Sequence, residues 1–69
     1  MEEKFRSDFT EYLIKVINKK IVLHLYIKYG MEGVVLSVDS KNQTFVFYDA
    51  LKKKKMLFFI KDVAGIEGI

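Results

Sequence analysis

The sequence predicts a mainly β domain: one N-terminal α-helix followed by five short, strongly bent antiparallel strands forming a small barrel or sheet. Three observations predict it. Apolar residues fall at helical spacing only near the N-terminus; from Ile21 onward the apolar period is two; and short polar or glycine-bearing segments cut the remainder into five runs with no proline anywhere. With 69 residues the chain makes a single domain over 1–69, helix about 5–19 and strands about 20–69.

Phe5, Phe9, Tyr12, Leu13, Val16 and Ile17 lie on one stripe of a helix, with Lys4, Asp8, Glu11, Lys15, Asn18 and Lys19 mostly opposite. Ser7 or Asp8 can cap its N-terminus, Glu11 standing three residues after Asp8 as in a capping box, although an earlier start fits as well. Such a helix is marginal alone in water, so its apolar stripe must rest on something.

Ile21 to Ile27 alternates, with Ile21, Leu23, Leu25 and Ile27 on a core face and Val22, His24 and Tyr26 on the other. The stretch Lys28 to Gly33 holds Gly30 and Gly33 and is the expected turn, since glycine takes positive φ without penalty. Val34 to Asp39 makes a second strand, Asp39 to Gln43 a polar turn, and Thr44 to Tyr48 a third strand rich in β-formers. Met56 to Ile60 is apolar on both faces and is expected to be buried on both. After Lys61 and Asp62, Val63 to Ile69 forms a fifth strand.

Composition excludes several classes of function. The absence of cysteine removes disulfides, thiolate catalysis and Cys-based metal sites, and the lone His24 has no partners for a metal. No nucleophile and base are recognisable, no Gly-rich phosphate loop follows a strand, and Asp39, Asp49 and Asp62 sit singly in turn contexts, so no enzyme and no cofactor are expected. No run approaches the roughly 18 apolar residues of a membrane span, and the chain opens on Glu2, Glu3 and Lys4. The expectation is a soluble, unprocessed, cytoplasmic protein with no membrane partner. A net charge of +3 permits an anionic partner, and 51% hydrophobic residues in so short a chain point to self-association.

The order of elements, the Leu25-Tyr26-Ile27 triplet, the stretch from Gly33 to Asp39, Asn42-Gln43 in the next turn and the ending Ile60-Lys61-Asp62-Val63-Ala64-Gly65-Ile66 resemble the Sm-like fold. Within that fold the bacterial Hfq family of RNA chaperones is the nearest likeness, over roughly residues 9 to 69. The resemblance implies a homo-oligomeric ring of six or seven subunits, closed by pairing strand four of one copy with strand five of the next. It implies binding of A-rich or U-rich single-stranded RNA: Tyr26 stacking a purine on the face away from the helix, with His24, Gly30, Met31 and Glu32 around it, and a weaker pore site of Asn42, Gln43, Thr44 and Lys61. Glu32 stands where the family commonly has a glutamine that contacts adenine, and the pore histidine of the family has no counterpart near Phe59 to Asp62.

Each feature also has a plainer meaning. Tyr26 and His24 would serve as a cross-strand pair, Asn42 and Gln43 as ordinary turn residues, and the helix alone would cover the fourth strand in a monomer. Lys52 to Lys55, with Lys15, Lys19, Lys20 and Arg6 on the helix side, can grip phosphates, but such runs are also solvated hairpins or guards beside an aggregation-prone strand. Two further classes of function stand beside RNA binding: a ring used as a protein interaction scaffold, and a small SH3-like basic module for DNA.

Overall fold

The computed structural model describes residues 2–68, with side chains from residue 9 onward. Ile69 and the side chains of Phe5, Arg6, Ser7 and Asp8 lie outside the described residues. The chain runs α1 (Glu2–Lys15), β1 (Lys20–Leu25), β2 (Lys28–Asp39), β3 (Thr44–Asp49), β4 (Lys54–Phe59), a 3-10 turn η1 (Ile60–Asp62) and β5 (Val63–Gly68). All strand pairs are antiparallel and the sheet order is β4-β3-β2-β1-β5. One helix, five strands and their order agree with the sequence; among the described residues the sheet is open, since β4 and β5 are its edges and do not pair with each other.

Helix α1 begins upstream of both Ser7 and Asp8 and ends at Lys15, short of the expected limit near residue 19. Asn18 stops it by taking φ 68°, a left-handed geometry that asparagine tolerates, and its N–H donates to the Val35 carbonyl at 2.8 Å. Leu13 and Val16 are buried, and Phe9 and Ile17 pack against the core from the same side. Tyr12, expected on that stripe, remains exposed. The helix rests chiefly on β2 and η1.

The core comes from alternate residues of the strands: Ile21, Leu23 and Leu25 of β1, Met31 and Val35 of β2, and Phe45 and Phe47 of β3. Ile60 and Val63 close it from the chain's end. The ring of Phe58 lies 5.9 Å from that of Phe45 and 6.3 Å from that of Phe47, tilted in both cases. Such pairs add about 0.5–1.5 kcal/mol beyond the area they bury.

The first turn is not where its glycines placed it. Leu25 pairs with Lys28, so the chain reverses at Tyr26 and Ile27, and β2 already contains Gly30 and Gly33. Tyr26 and Ile27 therefore leave strand one, and the alternation that put Ile27 in the core ends at Leu25. Gly30, at φ 78°, sits at a bulge where Tyr29 and Gly30 together face His24. Gly33 has no positive φ and serves another purpose. It pairs with Ile21 on one side and Asp49 on the other, and a Cβ there would collide with the Tyr48 carbonyl oxygen and come within 2.7 Å of Phe47 Cζ.

β2 is shared unequally: β1 pairs with residues 28 to 34 and β3 with 33 to 39, so its two partners overlap only near Gly33. η1 then fixes the bend. Ile60 N–H donates to the Gln43 carbonyl at 2.8 Å and Tyr26 N–H to the Asp62 carbonyl at 3.1 Å, so three residues link regions at opposite ends of β2. At about 2.0 Å rise per 3-10 residue the link spans roughly 6 Å, whereas twelve extended residues run roughly 40 Å. The sheet must therefore curl strongly on itself.

β4 departs from expectation. Phe58 packs against the core and Met56 is half-buried, but Leu57 and Phe59 are exposed at 66% and 53%, so the doubly apolar strand is covered in part, and on one face only, within a single chain.

Replacing Gly33 with alanine will destabilise the fold by about 1–3 kcal/mol through overpacking against β3. Gly68→Ala, where an added Cβ meets nothing within 4 Å, will change it by less than about 0.5 kcal/mol. Urea unfolding of the two variants beside the parent measures the contrast.

Candidate nucleic-acid interface

His24 is held by three strands. Its Nδ1 accepts from Gly30 N–H at 3.0 Å, which places the proton of the neutral ring on Nε2, and Nε2 lies 3.2 Å from Glu67 Oε2 on β5. The ring sits 5.2 Å from that of Tyr29, tilted by 40°. The aromatic partner of His24 is thus Tyr29 across the bulge, not Tyr26. Tyr26 stands in the turn, 70% exposed, and Tyr29 is 66% exposed. Sequence reasoning passed over Tyr29 because it was counted among turn residues; the signal that would have found it is the extra residue that a bulge puts opposite His24.

Beyond the bulge, Gly30, Met31 and Glu32 line an open cleft of about 360 Å³ together with Lys28 and with Asp49, Ala50 and Leu51 of the β3–β4 turn. Ala50 N–H donates to the Glu32 carbonyl at 3.0 Å and fastens that turn to β2. Three of the expected adenine-site residues therefore share one cleft, while His24 joins it only through Gly30 and Tyr26 stands apart. Met31 is a core residue that reaches the cleft from within.

Lys52 to Lys55 begin in the β3–β4 turn and continue into β4, all exposed. Asp49, itself buried, organises this turn: its Oδ1 accepts from Leu51 N–H at 2.9 Å and Lys52 N–H at 3.1 Å, and its carbonyl from Lys53 N–H at 2.7 Å. The hydrogen bond from Lys52, then that from Leu51 and the charges of Lys28 and Lys52, hold the Asp49 carboxyl below its ordinary value of 3.8, against an opposing effect of burial. On the helix side, Lys15, Lys19 and Lys20 line a shallow groove with Tyr12.

The expected pore residues split between two roles. Asn42 gives both its side-chain amide and its backbone N–H to Asp39, at 2.8 and 3.1 Å, and Gln43, at φ 58°, gives its amide to the Ser40 carbonyl at 2.6 Å. These are turn-forming bonds. The side-chain amide of Asn42 is the largest influence holding the Asp39 carboxyl low, followed by its backbone N–H. Thr44 pairs with Phe59, and Lys61 Nζ lies 5.7 Å from the Phe59 ring centroid, so Gln43, Thr44 and Lys61 do come together around η1.

Among the described residues no group of three His, Cys, Asp or Glu side chains is placed to hold a metal, and no helix is long and apolar enough to cross a membrane. The chain matches no protein-family model, no curated protein and no solved structure.

The lowered carboxyls of Asp39 and Asp49 set a pH dependence. Both release their protons more readily folded than unfolded, so the stability they contribute is present above the ordinary carboxylate value and is lost as pH falls through their lowered values. Thermal unfolding followed from neutral pH into acid will show a falling midpoint. Asp49→Asn will start from a lower midpoint and lose less of it in acid.

Proposed function

We propose that the protein forms a ring of six or seven copies that binds single-stranded RNA and does no chemistry. It would act as a divergent Sm-like, Hfq-like RNA chaperone in post-transcriptional regulation. The observation that carries this reading is the pair of solvent-exposed tyrosines, Tyr26 in the turn and Tyr29 against a histidine whose ring is fixed by hydrogen bonds on both nitrogens. Unstacked bases bind to such aromatic faces, each stack being worth about 1–3 kcal/mol, and the fixed ring lowers the ordering cost. Lys28 lines the cleft, and the exposed Lys52 to Lys55 run follows its Leu51, so both can supply phosphate contacts.

Support for the ring comes from the sheet edges. β4 and β5 each have one unpaired side, so β5 of a second copy can extend the sheet from β4, and head-to-tail repetition closes a circle that leaves no free edge. The same addition brings a neighbour beside Leu57 and Phe59, which a single chain leaves in water. In that assembly the bent strands complete the small barrel of the Sm-like fold. One observation favours a scaffold without RNA: the amides of Asn42 and Gln43 are committed to their own turn.

Fluorescence polarisation with A-rich and U-rich oligonucleotides tests the RNA reading. Tyr26→Ala and Tyr29→Ala are each expected to weaken the A-rich complex by about ten-fold or more. No shift with either oligonucleotide at low salt favours the scaffold, and equal affinity for duplex DNA favours a basic DNA module. Light scattering is expected to give six or seven times the 8.1 kDa chain mass, and a monomer at micromolar concentration removes the ring.

A further inference from the structure

Stacking on RNA leaves the most exposed apolar residues without a role. Ile27, in the β1–β2 turn, and Leu51, in the β3–β4 turn, are each 88% exposed. Turn positions accept polar residues at no cost to the fold, and aliphatic side chains offer a base neither a stacking face nor a hydrogen bond. The two turns flank one cleft, since Lys28 directly after the first and Leu51 within the second both line it. Each apolar tip is bordered by cations: Lys28 follows Ile27, and Lys52 to Lys55 follow Leu51.

We propose that this end of the molecule docks on an anionic lipid bilayer, Ile27 and Leu51 entering the acyl boundary while the lysines meet lipid phosphates and carboxylates. Tyr26 and Tyr29, exposed beside the first tip, suit the headgroup layer, where an aromatic body and a polar hydroxyl are both satisfied. The β3–β4 tip carries fewer free donors into the interface, because Leu51, Lys52 and Lys53 N–H groups already donate to Asp49. The bonds from Leu51 and Lys52 fall on Oδ1 of the Asp49 carboxylate, and Asp49 and Glu32 are the acids that line the cleft with Lys28. The complement of two aliphatic tips bordered by lysines is an apolar layer beneath a negatively charged surface, which an anionic bilayer supplies. Such docking is peripheral and needs no spanning helix.

Co-sedimentation of the full chain with vesicles tests it, using phosphatidylcholine alone and phosphatidylcholine mixed with phosphatidylserine. The protein is expected to pellet with the mixed vesicles at low salt and not with the neutral ones. The double variant Ile27→Ser/Leu51→Ser is expected to lower partitioning by about ten-fold or more, with its thermal midpoint unchanged. Ile27→Asp, which sets a carboxylate against the anionic surface, is expected to do so alone. Retained binding of A-rich RNA by Ile27→Ser alone, which leaves the cleft lining unchanged, separates this surface from the RNA reading. Partitioning of the folded double variant equal to that of the parent, or no sedimentation with mixed vesicles, overturns the proposal. So does a pattern in which the variants lose RNA while the parent never binds vesicles.

Discussion

At Gly33 three strands meet on a single α-carbon. β1 pairs with it through Ile21, β3 through Asp49, and the ring of Phe47 occupies the space where a side chain would stand. This approach lets β2 serve as the partner of β1 in its first half and of β3 in its second, which is how six-residue strands on either side enclose one core. The bulge that leaves Leu36 extra on β2, and the one at Gly30, distribute the rest of the bend. Phe45, Phe47 and Val35 are then buried in the concavity, and α1 is left to close its open side.

Periodicity made much of this legible. Leu13 in the helix and Val16 just past its end, Ile21, Leu23 and Leu25 in β1, and Phe45 and Phe47 in β3 stand at the spacings of buried faces and are buried. Asp39 closes β2, and Asn42 and Gln43 make the polar turn expected of them. What sequence reading misplaced was the meaning of glycine. Gly30 and Gly33 were taken to mark a reversal of direction, yet one relieves a bulge and the other permits contact between backbones, both inside a strand. The reversal fell to Tyr26 and Ile27, which have no turn propensity, because register with β5 and η1 fixes where β1 must stop.

The candidate site was legible in its parts and not in its assembly. His24 was singled out, but its contacts come from Gly30, Tyr29 and Glu67, and the last is 43 residues away along the chain. No local pattern encodes such a meeting; it follows from β1 lying between β2 and β5. Lys52 to Lys55 could be read as a charged tip, yet the ordering of that tip depends on a buried carboxylate before the run, which period-two alternation merely marks as an inward position. Leu57 and Phe59 carry the opposite lesson: hydrophobicity on both faces predicted burial on both, and a lone copy supplies only one.

The helix has a consequence for the order in which the chain acquires its structure. α1 precedes every strand in the chain, yet its seat consists of β2 and of Ile60 and its neighbours in η1, which follow it after one strand and after four. Until then its apolar side has no partner, and a lone helix of fourteen residues is barely stable. Docking of α1 therefore waits on η1, four strands further along the chain, so the core is sealed in one event and not strand by strand.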